Sequence, residues 1–359
     1  MSLKIVLATL AAAQAVAADS SHPVYFRKAD ADAAKGVAAF KNLAFASGGD
    51  GSLVNEQGFW FSHFTVGASK DLEILIDTGS SDAIMNPGIY EPSSNSQNQN
   101  RRFKIAYSTT NPDGSGSLAA SGKVYHDVIT QLGANLTVPQ QVLGAIDSPS
   151  APPTFPHDGL IGYAGLDGAS LGEKPFFLSL CDSGALSACR FGLAFRTDGT
   201  GQLHYGTVAT EEFSGGLTAV PTKGLWALNG GATVSGKTIV GNIDIITDSG
   251  TTVIFGPKAD VKKIFKAAGI TANNTGSTIQ GHYSCAKPPT VGFNLGGKNF
   301  NIDPKALAFK QDKTSNDCIA SIFGTDDFSN NWLVGQAFFQ GRYIDHNVDD
   351  NTMGFADLK

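Results

Sequence analysis

From about residue 55 onward the apolar residues come in short runs broken by Gly, Asn, Ser and Pro, beginning with "FWFSHFTVG". Runs of this length with interleaved polar residues fit strands that bury one face, and turn formers at such short intervals predict a mostly β chain. Helical periodicity is confined to "KADVKKIFKAAG", Lys258 to Gly269, which ends at a natural glycine stop, and to "KPFFLSLCDSG". The earlier stretch "HPVYFRKADADAAKGVAAFKNLAF" is Ala-rich and helix-compatible, and "ASGGDGS" after it reads as a loop.

Two segments interrupt this pattern in the same way. In "EILIDTGSSDAIM", Glu73 to Met85, an apolar run ends in Asp77, followed by Thr78, Gly79 and Ser80. In "DIITDSGTTVIFG", Asp244 to Gly256, another run ends in Asp248, followed by Ser249, Gly250 and Thr251. An isolated ion at the end of a buried strand is costly to desolvate. Downstream, "DGLIG" and "WLVG" follow their acids at almost equal distance, and Pro87 and Pro257 close the two turns. Two copies of such length do not fit a solenoid; the simplest account is a pair of similar lobes. If these pack about a pseudo-two-fold axis, Asp77 and Asp248 face each other at the junction. Two close carboxylates cannot comfortably both ionise, so they share a proton and titrate together. Hydroxyls and backbone N–H groups of the turns would surround them, and Gly79 and Gly250 would permit close backbone approach.

Composition narrows the setting. The 359 residues are 42% hydrophobic and 16% charged, with 42 glycines, which is a globular balance long enough for two lobes. The net charge of −6 comes without a basic stripe, so no nucleic-acid partner is expected. The start "MSLKIVLATLAAAQAVAADSS" has a basic end, a short apolar run and a small-x-small pattern. It reads as a secretory signal over 1–18, too short in its apolar core to span a membrane. No membrane partner and no lipid-anchor tail are expected, and the destination is extracellular in preference to vacuolar. Four cysteines in an exported chain suggest two disulfides; three pairings are possible, and proximity favours Cys181–Cys189 and Cys285–Cys318. No Cys pair or His cluster has zinc spacing, so no metal and no cofactor are expected. Asn135 in "NLT" and Asn273 in "NNT" are glycosylation acceptors.

The two motifs with their downstream partners resemble the pepsin-like aspartic proteases, in the style of secreted fungal members, from about residue 55 to the C-terminus. That resemblance implies an all-β bilobal fold with a central cleft, lobes at 51–198 and 199–359, and Asp77 and Asp248 as the catalytic dyad. It implies that Ser80 and Thr251 support the outer carboxylate oxygens, and that 19–50 is a propeptide of a self-activating zymogen. Protein or peptide substrates cut beside bulky apolar residues are expected, by a monomer. "GQLHYGTVATEEFSGGLTAVP" resembles the family's mid-chain hairpin. "FKIAY" and "SGKVYHDV" resemble the two strands of its flap, nominating Tyr107 as the flap tyrosine, although the intervening stretch is long and Asp113-Gly114 is an alternative tip. Ile84 stands where a tryptophan is usual, and Gln336 where an aspartate is usual.

Two other readings compete. "GASLG", Gly168 to Gly172, fits the nucleophile pattern of serine hydrolases but lacks the strand before and helix after that this chemistry needs. His63, His126, His157 and His204 are scattered and read as surface or structural residues. A pepsin-fold binding or inhibitor protein of weak or no activity is the other alternative; both acids and both turns being intact argue against it.

Overall fold

The computed structural model describes residues 20–27, 59–108, 117–149 and 158–359, apart from 225, 277, 312–314 and 329. The strands form two sheets, one of thirteen and one of ten. Within each, the segment carrying the acid is built the same way. Ser69–Asp77 runs parallel to Gly159–Gly162, which is antiparallel to Ala83–Met85, itself parallel to Leu136–Pro149. In the second half Lys237–Thr247 runs parallel to Trp332–Val334, antiparallel to Ile254–Pro257, itself parallel to Asp317–Thr325. The apolar-apolar-Gly segments are therefore the strands wedged beside the acids, covered on both sides, which is why they are uniformly apolar. Gly162 and Gly335 are required there by contact: a Cβ on Gly162 would lie 2.4 Å from the Ser80 carbonyl oxygen, and one on Gly335 would lie 2.3 Å from that of Thr251.

The halves meet on strands of the larger sheet, where Arg190–Phe195 pairs with both Thr200–Tyr205 and Arg342–Asn347. Aromatic side chains fill the space beneath, with Trp60 stacked on Phe195 at 4.2 Å between centroids. The boundary expected after residue 198 falls in the turn between the strands Arg190–Phe195 and Thr200–Tyr205. The mid-chain hairpin is corrected: Thr200–Tyr205 does not pair with Thr218–Pro221, which joins Thr352–Asp357 at the far edge. The long Gly- and Ser-containing link between them lets the two strands reach different places in one sheet.

Both expected helices form. Lys258–Ala268 buries Val261, Ile264 and Phe265 on one face and ends at left-handed Gly269, φ 66°, whose N–H donates to the Phe265 carbonyl. Phe176–Asp182 buries Phe176, Phe177 and Leu180. The helix-compatible reading fails at its start: Ser20–Arg27 is a strand, held antiparallel between Thr200–Tyr205 and Phe59–Val66. "VYFR" is rich in β-prone types, and two waiting sheet edges override a weak helical propensity. The rest of 19–50, the leader 1–18 and His157 lie outside the described residues. Disulfides join Cys181 to Cys189 and Cys285 to Cys318. Among the described residues no helix is long and apolar enough to cross a membrane.

Candidate active site

The parallel strand ending at Asp77 and the one ending before Asp248 deliver their turns to the same point. Asp77 and Asp248 are 6% and 9% exposed, and their carboxyls converge: the point where a Cβ on Gly250 would stand lies 2.4 Å from Asp77 Oδ1 and 3.2 Å from Asp248 Oδ1. Each turn then wraps its own acid identically. The Gly79 N–H donates to Asp77 Oδ1 at 2.9 Å, and the Ser80 hydroxyl donates to Oδ2 at 2.5 Å. The Gly250 N–H donates to Asp248 Oδ1 at 2.8 Å, and the Thr251 hydroxyl donates to Oδ2 at 2.5 Å. The glycines are needed because each turn presses against the opposite acid. A Cβ on Gly79 would stand 2.5 Å from Asp248 Oδ1, and one on Gly250 would stand 2.4 Å from Asp77 Oδ1.

The second residue of each turn reaches across. The Thr78 N–H donates to Ser249 Oγ at 3.0 Å and the Ser249 N–H donates to Thr78 Oγ1 at 2.9 Å. Each hydroxyl passes its own proton to a backbone carbonyl of the other half, Ser249 Oγ to Ile76 at 2.7 Å and Thr78 Oγ1 to Thr247 at 3.4 Å. Both hydroxyls are fully buried and satisfied, so this exchange links the two turns without an unpaired polar atom.

Burial, and after it the charge of Asp248, pushes Asp77 far above the ordinary carboxylate range. The hydrogen bonds from Ser80 and Gly79 act in the opposite direction and are outweighed. Two buried acids this close, with donors aimed at their oxygens, can hold one proton between them and both take and give protons.

The other nominated residues fall in varied places. Tyr107 lies in the strand Gln97–Ser108, but its side chain and residues 109–116 are outside the described residues. Ile84 is fully buried in a cluster with Phe103, Ile105 and Ala120. Gln336 is fully buried, and its side-chain N–H donates to the Ser249 carbonyl at 2.8 Å. Asn135 is exposed in a turn at φ 55°, and Asn273 is exposed on Thr271–Thr275, the outermost strand of its sheet. "GASLG" starts on the last residue of the short 3-10 turn Leu166–Gly168 and continues as loop. His204 is buried 3.0 Å from Glu212 Oε1, His63 is paired with Asp71 near the surface, and His126 stands 2.6 Å from Glu173; none is near the dyad's hydrogen bonds.

One residue of the site was missed. Asp82 is 2% exposed and accepts the N–H groups of Ser170 at 2.8 Å and Leu171 at 3.0 Å, so it pins the loop that packs Leu171 beside Phe103 and Ile105. Aligning the two motifs would have found it, because its counterpart in the second half is the apolar Val253.

A family model described as eukaryotic aspartyl protease matches residues 59–358. The chain is 30% identical over 330 residues to an aspartic protease of Phaffia rhodozyma, covering 85% of this chain and 78% of that one. It is 29% identical to secreted aspartyl protease 1 of Malassezia globosa, covering 84% and 74%. Its fold is similar to the crystal structure of the aspartic proteinase from Irpex lacteus, with a TM-score of 0.72 at 19% identity, covering 95% and 98%. The chain therefore belongs to the eukaryotic aspartyl proteases, with their two-lobed β fold.

Proposed function

We propose that this aspartyl protease is a secreted endopeptidase that hydrolyses peptide bonds at acidic pH through Asp77 and Asp248. The observation that carries the reading is the convergence of two buried carboxyls at one point, each flanked by the same pair of donors. With one proton on the pair, the ionised carboxylate takes a proton from a water held between them while the protonated one polarises the scissile carbonyl. The water oxygen bonds to the carbonyl carbon, and the tetrahedral species collapses as the dyad returns a proton to the leaving amine. The chemistry asks for no metal or covalent intermediate.

Support for a substrate cut between bulky apolar residues comes from the flanks of the two turns. Leu75 and Ile246 each stand two residues before an acid, on the same strand face. Leu75 belongs to the apolar cluster of Phe61, Phe103 and Ile105, and Ile246 packs on the cluster of Val253, Phe255 and Leu333. An extended peptide laid across the two lobes would be held largely by main-chain hydrogen bonds, as an added strand.

The proposed secretion and zymogen form rest on the leader at 1–18 and on the segment 19–50, whose basic residues Arg27, Lys28, Lys35 and Lys41 would pair with carboxylates at neutral pH. Acid would protonate those partners and release the segment, including the strand Ser20–Arg27. The test uses the full-length chain, acid-treated and given denatured haemoglobin. Pepstatin-sensitive cleavage that falls by roughly 10²–10⁴-fold in Asp77→Asn and in Asp248→Asn, each still folded, is expected. Cleavage that survives either change removes the dyad, and an absence of cleavage by the parent protein favours a binding protein on the same fold. Zymogen of Asp77→Asn that is still trimmed at low pH rules out self-processing by the dyad.

A further inference from the structure

A single buried tryptophan joins the backbones behind the two acids. Trp226 is 6% exposed and has φ 54°, a conformation that costs a bulky side chain energy and persists only where its surroundings enforce it. Its indole N–H donates to the Tyr163 carbonyl at 2.8 Å, and the Tyr163 N–H donates to the Asp77 carbonyl at 2.7 Å. Its own carbonyl accepts from Thr247, from the hydroxyl at 3.1 Å and the N–H at 3.3 Å. Thr247 is the residue immediately before Asp248. One residue thus contacts the backbone support of Asp77 with its side chain and that of Asp248 with its main chain.

The indole has little freedom to turn. Phe191 lies edge-to-face against it at 5.7 Å and 83°, and His346 at 4.9 Å and 81°. Both belong to strands of the sheet where the halves meet. The Tyr163 hydroxyl, 2.6 Å from that of Tyr205, ties the other end of the chain of contacts to the same sheet.

The reciprocal bonds between Thr78 and Ser249 hold the turns together along one line, and two bodies joined along one line can still rock about it. A second tie through different residues removes that motion. We infer that Trp226 is a positioning residue, bridging Tyr163 and Thr247 to set the separation and tilt of the Asp77 and Asp248 carboxyls. The positive φ follows from that task. It lets the carbonyl face Thr247 while the indole reaches Tyr163, a pair of directions that the ordinary conformations do not supply to this side chain.

This inference rests on the proposed dyad, and its test separates the two. In the acid-activated full chain, Trp226→Phe keeps an aromatic ring and deletes the donor to Tyr163. Thr247→Val keeps the branched shape and deletes the hydroxyl donor to the Trp226 carbonyl. With an apolar peptide substrate, each is expected to lower kcat about tenfold with KM within about twofold, since small displacements of reacting groups cost rate steeply. The pH profile of kcat/KM is expected to change width, because the interaction between the two acids sets the spacing of its limbs. A folded Trp226→Phe with the parent's kcat and pH profile, even with a lower Tm, makes Trp226 merely structural and overturns the inference. If that variant does not fold, Thr247→Val decides by the same criteria; if neither folds, the bridge is a folding determinant and the positioning role is rejected. Asp77→Asn serves as the control: if it keeps its activity the dyad itself is wrong, whereas an inactive Asp77→Asn beside a fully active Trp226→Phe counts against the tryptophan alone.

Discussion

The turns at Asp77 and Asp248 are near copies in their innermost bonds and diverge one step outward. Around each acid, a glycine N–H and a hydroxyl donate to the two carboxylate oxygens at matching distances. Behind them, the first half places Asp82 against the amides of Ser170 and Leu171, while the second places Val253 in an apolar cluster with Phe255 and Leu333. After the wedge strand, the first half continues with Tyr163, which supports the Asp77 carbonyl, and the second with Gln336, whose side chain supports the Ser249 carbonyl. What both carboxyls must do in common is kept duplicate. What each lobe does for itself, anchoring a loop or filling a core, has been free to differ.

If the inner shell is duplicate in function as well as in bonding, Gly79→Ala and Gly250→Ala should be equally damaging. Either Cβ would meet the opposite carboxyl within about 2.5 Å, and a displacement near 1 Å is expected to cost roughly 10²-fold in kcat. Steady-state kinetics on both variants checks this, and a tenfold disparity between them breaks the symmetry.

The outer difference predicts unequal kinds of damage at Asp82 and Val253. Asp82→Ala leaves two amides without their acceptor, a loss of roughly 1–3 kcal/mol. It should also release the amides of Ser170 and Leu171 to hydrogen exchange. Val253→Ala, at a fully buried site, removes two methyl groups, a loss of roughly 1–2 kcal/mol by transfer alone, and should leave those amides protected. Chemical denaturation with residue-resolved exchange distinguishes the two.

A further contrast lies in the pH dependence of stability, where two buried groups oppose each other. Asp77 titrates higher folded than unfolded, so its contribution is fully present below its ordinary value of 3.8 and is lost as pH rises toward the folded value. Asp77→Asn should therefore raise Tm relative to the parent at neutral pH and not at pH 3. His346, buried between Phe191 and Trp226, is pushed down from 6.5 to about 3. Its contribution is intact above 6.5 and lost as pH falls toward 3. His346→Phe should raise Tm near pH 4 and not at pH 7.5. Thermal scans of both variants across pH 3–8 check the two slopes, and parallel curves would mean that other groups dominate.

Most of the site was legible because it is local and repeated. "DTGS" and "DSGT" contain acid, glycine and hydroxyl within four residues, so the bonds they make are nearly dictated by the turn they form. The flanking runs "ILI" and "IIT" had the strand pattern, and the helix Lys258–Ala268 carried its own stop signal. The segment at 20–27 was misread because its partners, Thr200–Tyr205 and Phe59–Val66, are distant in sequence and decide its conformation together. Thr200–Tyr205 and Thr218–Pro221 look like a hairpin in sequence, yet long-range pairing sent each to a different neighbour.

The chain alone therefore singled out the two acids and the donors beside them, because an acid at a strand end followed by a small, hydroxylated turn leaves few conformations and few partners. Tertiary structure decided what those atoms face. The reciprocal Thr78–Ser249 bonds, the amides held by Asp82 and the indole of Trp226 between Tyr163 and Thr247 all link residues far apart in sequence. Such contacts leave no periodic or compositional trace, since their energy depends on where two separately built lobes come to rest.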